Sequence, residues 1–364
     1  MAYVTPRTWT DGEVPTAAIM NQDVRDNIDI HSGIVSPDGA EVGARFRNLL
    51  HNSGFGIWHH TNADSLTSIA DDVYGPDRWY GLTQTAAIQM QRSAGNRAFR
   101  DCLLKQSQAA AQRMGLAQIV EACESKCCRS SALSLKFACK PSVTTIMRYA
   151  ILEWTGTADA VTSDVVLDWT SAVYTANAFF LAASLTVAAV GSISCAAGAW
   201  TDVTTLAATI SASCNNLIVF VWTEGTAAQN VTVEISELIL SREQEPEWYP
   251  PNMSEDVTNC QRFYEGGMGT DGTLITYHVY PAAAASIEMF SHLKFKTRKR
   301  AIPTITLYSA GGTINKISEV AGSIVDVVPT TGAMAIGDSG CSVQHNAAGS
   351  INGIGYHYAA TADL

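Results

Sequence analysis

Two histidines, His59 and His60, follow Trp58 and precede Asp64, Asp71 and Asp72. Imidazoles and carboxylates at this density could exchange protons or hold a metal ion. Neighbouring side chains on a strand point to opposite faces, so the pair does not converge on one ligand if the stretch is extended. Exposed loop histidines are the expectation. Asp71–Asp72 and Glu245–Glu247 are acid pairs of the kind glycoside hydrolysis uses, with two carboxylates facing one sugar. Nothing in their spacing singles either pair out. The chain carries no G-x-S-x-G elbow, P-loop or H-E-x-x-H, so no catalytic residue is assigned and a non-enzymatic role is expected.

The nine cysteines are few and odd in number, and most sit in apolar runs as small hydrophobes do. The cluster Cys123, Cys127, Cys128 lacks the second Cys-x-x-Cys or His pair of a zinc site. Buried free thiols made in a reducing compartment, such as a bacterial cytoplasm, are expected. No metal ligands or cofactors are assigned, although the acidic loop Ala70 to Asp77 leaves a structural Ca²⁺ open.

These groups need elements to position them. The chain has 364 residues, enough for two or three domains. It is 47% hydrophobic but only 16% charged, short of the ~25% usual for a soluble domain. A surface this poor in charge points to burial in an oligomer or larger particle. The net charge of −11 argues against nucleic-acid binding, which needs a basic face. The N-terminus lacks the basic head and apolar core of a signal peptide. Thr170 to Thr201 carries no charge, yet its Ser, Thr, Ala and Gly read as strand pieces rather than a membrane span.

Residues 1–45 form an arm. Pro6 and Pro15 bracket Trp9, and Ile19, Met20, Val24 and Ile28 recur at helical spacing after a cap at Thr16. So few apolar residues cannot make a core, so this arm packs on something else. Residues 46–251 turn to strands. Leu133, Leu135, Phe137 and Cys139 alternate with Ser134, Lys136 and Lys140, and Asn216 to Gly225 is a fuller apolar run. Val231, Val233 and Ile235 alternate with polar neighbours in the same way. Strands of this kind, spaced by turns, predict an antiparallel two-sheet sandwich. Asp101 to Arg113 fits a helix or a long loop. Pro246, Pro250 and Pro251 mark a boundary. A short helix at Val257 to Glu265 then leads into a strand-rich region, 252–364, suited to oligomerisation or receptor contact. The class is mainly β: a short N-terminal arm and helix, a central antiparallel sandwich and a C-terminal sandwich-like domain.

The order of several phrases then becomes specific: NLLHNSGFGIW (Asn48 to Trp58), GPDRWY (Gly75 to Tyr80), LSLKFACK, VFVWTEG, VEISELILSREQEPEWYPPN and NCQRFYEGG (Asn259 to Gly267). It resembles bacteriophage tail-fibre and virion structural proteins whose middle region looks like a carbohydrate-binding-module jelly roll. Those proteins open on NLL-x-NGGF-x-x-W and close on E-x-G-x-x-A-T-P-F-E followed by C-Q-R-Y-Y. Here SREQEPEWYPP lacks the Gly and the Ala-Thr of that closing phrase. The TPRTWTDGEVPTAAIM opening and the GYHYAATADL end are also similar to such proteins. The resemblance implies a fibre or spike subunit in the virion, a homotrimer, anchored to other virion proteins through Trp9, Ile19, Met20, Val24 and Ile28. A head-decoration, head-fibre or tail-tip component and a glycan depolymerase are the alternatives.

A sugar-binding fold does not by itself grant sugar binding. Flat aromatic rings stack on sugar faces, and Trp154, Trp169, Trp200 and Trp222 lie in or near strands. Trp58, Trp79 and Trp222 match positions internal to the resembled fold. Trp154 and Trp169, among polar and acidic neighbours, are therefore the candidate exposed rings for host polysaccharide. In the basic run His292 to Arg300, alternation turns Leu293 and Phe295 inward and Lys294, Lys296 and Arg298 outward. Those three form a solvated strand face, or a patch for an anionic glycan or a neighbouring subunit.

Overall fold

The computed structural model describes residues 48–61, 64–93, 97, 100–203, 206–242, 248–266, 288–320, 323–346 and 353–364. The arm residues Trp9, Ile19, Met20, Val24 and Ile28 lie outside them.

The first twelve strands are β1 (Thr67–Ile69), β2 (Tyr80–Thr83), β3 (Ile88–Ser93), β4 (Asp101–Lys105), β5 (Met114–Val120), β6 (Ala132–Pro141), β7 (Thr145–Trp154), β8 (Leu185–Cys195), β9 (Thr201–Asp202), β10 (Leu206–Thr209), β11 (Asn216–Thr223) and β12 (Thr232–Ser241). They pair antiparallel into two sheets. One runs β1-β3-β4-β12-β6-β10 with β9 beside β6, and the other β2-β5-β11-β7-β8. The chain crosses repeatedly from one sheet to the other, which gives a jelly-roll sandwich. Asp101 to Arg113 is neither helix nor simple loop. Its first residues form β4 and pair with β3 and β12. The rest is held by side-chain amides, Gln106 donating to the Gln108 and Ala110 carbonyls and Gln112 to that of Ala86.

The continuous apolar run of β11 has a specific cause. Leu217, Val219 and Val221 enter the core between the sheets, while Ile218, Phe220 and Trp222 enter a second core on the outer face of the five-stranded sheet. A strand buried on both faces has no polar alternation. The cover for that outer face is the segment between β7 and β8, which contributes Val165, Val166, Trp169, Tyr174, Phe179 and Phe180. Trp222 is stacked between Phe220, 4.5 Å away, and Phe179, 5.1 Å away. The backbone lies so close here that a Cβ on Gly115 would fall 2.5 Å from the Phe220 ring. Within Thr170 to Thr201, the long strand is β8 and most of the remainder is this irregular cover. Among the described residues no helix is long and apolar enough to cross a membrane.

The NSGF phrase organises the sandwich entrance. Asn52 adopts φ +50°, a conformation asparagine tolerates better than most residues. Its amide donates to the Ile57 and Asp77 carbonyls and its Oδ1 accepts from Ile57 N–H. Its own backbone donates to Asp256 and accepts from the Trp79 indole. Trp58, Trp79 and Trp222 are all internal, at most 1% exposed.

Past the sandwich comes α1 (Met253–Gln261), capped by the Asn252 side chain. It lies earlier than the expected Val257 to Glu265, because Asn252 supplies the N-cap and Tyr264 and Glu265 leave for a strand. The remaining strands are β13 (Tyr264–Gly266), β14 (Glu288–Lys294), β15 (Thr304–Tyr308), β16 (Ile317–Val320), β17 (Ile324–Val327), β18 (Gly332–Met334), β19 (Gly340–Asn346), β20 (Gly353–Gly355) and β21 (His357–Thr361). Three small antiparallel sheets, β13-β21-β15, β14-β19-β18 and β17-β16-β20, enclose a third core around Phe295, Ile317, Val343 and Tyr356. This region is tied to the sandwich at its end. Tyr74 donates to the Leu364 carbonyl, Arg262 pairs with Glu121, and the Arg78 guanidinium lies 3.4 Å over the Phe263 ring.

Candidate functional site

The seven-stranded sheet carries a cleft on its outer face, and a bulge helps build it. Between Ser236 and Ile239 the register of β12 against β6 shifts, and Glu237 takes φ +55°. Bulges re-aim side chains. The main chain around this one is satisfied by Asn48, whose amide donates to the Leu238 carbonyl and whose Oδ1 accepts from Leu240 N–H. Glu237 is thereby set against Arg97, its Oε2 2.9 Å from Arg97 Nε. Arg97 also pairs with Asp202 on β9. Two carboxylates from separate strands thus fix one planar guanidinium, a preorganised donor fork.

The cleft has a volume of about 320 Å³ and is walled by Arg97, Lys136, Asp202, Glu237, Trp248 and Pro250. Trp248 is half-buried, its indole N–H donating to Ser53 Oγ at 3.2 Å. Trp200 extends the same face: Lys140 Nζ lies 5.1 Å from its ring centre and the Arg97 guanidinium 5.9 Å. Lys140 is itself held by Glu234 at 2.7 Å. Pro250 also lines a second groove of about 270 Å³, polar in character, with Asn48, Tyr249, Asn252 and Glu255 along it. Tyr249 is 53% exposed. An indole wall beside fixed donors and acceptors is the chemistry that holds a sugar ring by its apolar face and its hydroxyls.

The structure distributes the other candidates differently. Trp169 is not a free ring but packs edge-on against Phe179 and Phe220, both at 5.9 Å, as part of the cover over the second core. Trp154 is half-buried, and its indole donates to the Thr157 carbonyl at 2.9 Å. Both belong to the sealed five-stranded face, away from the cleft. Lys294, Lys296 and Arg298 do point outward while Leu293 and Phe295 are buried. Arg298 pairs with Asp338 at 2.7 Å.

His59 and His60 are not exposed loop histidines. His59 is bonded to Asp77 at 2.6 Å, and His60 stacks on Tyr264 at 3.7 Å and on Tyr74 at 5.2 Å. Burial alone would lower the His59 imidazole, but the bond and charge of Asp77 outweigh it and hold it above its ordinary value. Burial would raise Asp77, and His59 holds it below. The two form an ion pair packed where the sandwich meets the C-terminal region, so their work is structural. Glu245 and Glu247 lie outside the described residues.

Asp71, Asp72 and Asp164 form a carboxylate trio with ligand atoms within 4.8 Å of one another. Burial, then the neighbouring charges of Asp71 and Asp164, push Asp72 up to about 6. This all-oxygen donor set is of the kind hard divalent cations accept. Asp71 already accepts from Thr83 N–H. Of the cysteine cluster, Cys123 and Cys127 are exposed and Cys128 is buried, and no such grouping joins them among the described residues.

The cleft was hard to find in the sequence because its walls come from positions 97, 136, 202, 237 and 248. The available signal was Trp248, a large aromatic residue set in the proline-bound phrase EPEWYPP.

No family model matches this chain, and no curated protein does. Solved structures do overlay on it in part. A family 61 carbohydrate-binding module in complex with β-1,4-galactotriose aligns over 54% of this chain and 99% of its own, at 11% identity and TM-score 0.32. The enzymatically active domain of tailspike protein 4 of bacteriophage CBA120 aligns over 53% of this chain and 21% of its own, at 10% identity and TM-score 0.30. The CBM22-1 and GH10 modules of Clostridium thermocellum xylanase 10B, complexed with xylohexaose, align over 50% and 29%, at 12% identity and TM-score 0.30. Overlays this loose carry no argument about ligand or role; the fold class rests on the sheets themselves.

Proposed function

We propose that this chain is a structural protein of a bacteriophage virion, a fibre or spike subunit that contacts host-surface glycan through the Trp248–Arg97 cleft. The observation that carries the glycan reading is the cleft itself: an indole wall beside a guanidinium fixed by Asp202 and Glu237. The opposite, five-stranded face is filled by the chain's own Trp169, Phe179 and Phe180. Binding is therefore assigned to the seven-stranded side rather than to Trp154 and Trp169. The virion reading rests on the ordered phrases of the sequence, and the attachment is assigned to residues 1–45.

Exposed apolar side chains on the C-terminal region, Ile302, Ile324 and Val328 at 72%, 60% and 70%, favour self-association into a homotrimer. Copy number then multiplies weak contacts into firm attachment. Lys294 and Lys296 offer a secondary contact for an anionic glycan.

The test is binding of the full chain to intact host cells and extracted surface polysaccharide, with reducing ends followed alongside. Trp248→Ala and Arg97→Ala are each expected to weaken binding by roughly 10-fold or more, a loss of about 1.4 kcal/mol, without change in the melting temperature. Saturable binding that survives both substitutions would refute the cleft. No binding at all would leave a purely structural decoration or connector role, and release of reducing ends would make the protein a depolymerase. Removing residues 1–45 is expected to abolish incorporation into particles; normal incorporation would overturn the anchor.

A further inference from the structure

Two cysteines far apart in sequence meet in the central core. Cys139 lies on β6 in the seven-stranded sheet, and Cys195 closes β8, the edge strand of the five-stranded sheet. Their sulfurs are 3.2 Å apart across 56 positions of chain, and both residues are wholly buried. Ordinary contact between sulfurs is longer than this, and a disulfide bond of about 2.0 Å needs them to close by only about 1 Å. Phe137 and Tyr149, in edge-to-face contact at 5.3 Å, pack in the same core.

We propose that Cys139 and Cys195 are a conditional disulfide site that staples the two sheets once the protein leaves a reducing compartment. The inference does not depend on the glycan cleft. In the chemistry, the Cys195 thiolate attacks one sulfur of a small disulfide such as oxidised glutathione, forming a mixed disulfide and expelling one glutathione thiolate. The Cys139 thiolate then attacks the Cys195 sulfur and expels the second. The two protein thiols lose two protons and two electrons, and one glutathione disulfide becomes two thiols. Cys195 is the better first nucleophile, because the hydrogen bond from Cys139 favours its thiolate while the same pairing and burial raise Cys139.

Access comes from the chain that follows. Ala196, Ala197, Gly198 and Ala199 are all exposed, Gly198 has φ +70°, and a side chain placed there would touch nothing within 4 Å. The turn is held by Gly198 N–H to the Pro141 carbonyl and Ala197 N–H to Thr144 Oγ1. Local opening of this small-residue turn at a sheet edge exposes Cys195 without disassembling either sheet. Closing a loop of this length in the unfolded chain is the main source of the expected stabilisation.

The experiment uses the full chain carrying Cys123→Ser and Cys127→Ser, which removes the exposed thiols. Treatment with oxidised glutathione is expected to lower the intact mass by about 2 Da, through two lost hydrogens, and to yield a Cys139–Cys195 linked peptide. It should raise the melting temperature by roughly 5–10 °C. Adding Cys139→Ser or Cys195→Ser should remove both effects. Recovery of Cys139 and Cys195 as free thiols from the oxidised protein, or a cross-link through another cysteine, would overturn the proposal. A Cys139–Cys195 link with an unchanged or lowered melting temperature would overturn the staple.

Discussion

Asn52→Ala is expected to destabilise the sandwich by about 4 kcal/mol, read as a shift in the urea midpoint with an unchanged slope. The side chain serves three buried backbone groups: the Ile57 N–H, the Ile57 carbonyl and the Asp77 carbonyl. Alanine leaves the Ile57 N–H and the Asp77 carbonyl without a partner, while the Ile57 carbonyl keeps the Asp77 N–H, and each orphaned buried group costs about 1–3 kcal/mol. Alanine must also take φ +50°, which adds about 1 kcal/mol. The loss spreads further, since Asp77 positions His59 and the Trp79 indole donates to the Asn52 carbonyl. A loss below about 1 kcal/mol would mean that water replaces the amide, and the account of the NSGF phrase as the knot of the sandwich entrance would fail.

The second large effect lies in the C-terminal core. Lys299 has no exposed side-chain surface and sits 2.6 Å from Glu265, which is 1% exposed. Glu265 also accepts from Tyr358 OH and from Lys296 N–H. Burial alone would raise this carboxyl, but the bonds from Lys299, Tyr358 and Lys296 overcome it and hold it below its ordinary value. Burial pulls Lys299 below its own range, and Glu265 restores only part of that loss. Lys299→Met removes the cation and leaves a buried carboxylate, at an expected cost of about 3–5 kcal/mol at pH 7.

The pH dependence separates this cause from a simple packing defect. In the native protein the depressed Glu265 contributes stability that is present above the ordinary carboxylate value of about 4.3 and is lost as pH falls through its lower folded value. In Lys299→Met, burial without a cation raises the folded value, so the penalty grows as pH rises through that range and shrinks in acid. The difference between native and variant should therefore be large at pH 7, smaller at pH 4, and smaller still below the depressed Glu265 value. A difference that stays constant between those pH values would rule out an unpaired Glu265 as the cause. The double variant Lys299→Met with Glu265→Leu is expected to recover part of the loss, because it buries no charge.

Part of this architecture is legible in the residues alone. The alternation of Leu133, Leu135, Phe137 and Cys139 marks a strand with one apolar face, and Asn216 to Thr223 marks one with two. Leu293 and Phe295 inward with Lys294 and Lys296 outward follows from the same two-residue period. A period reports how much of a strand is buried but not what buries it. Hence Trp169 reads as an exposed ring among polar neighbours, although Phe179 and Phe220 flank it in space.

The sequence by itself determined the strand-rich class, the buried strands and the phrases around Asn48 and Asn52 that open the sandwich. The tertiary structure alone decided which face is open. The bulge at Glu237, the pairing of Arg97 with Asp202 and Glu237, and the approach of Cys139 to Cys195 all depend on register between strands distant in the chain. A one-residue slip would turn such side chains to the other face. That register is set by the packing of whole sheets, and local sequence holds only half of each contact.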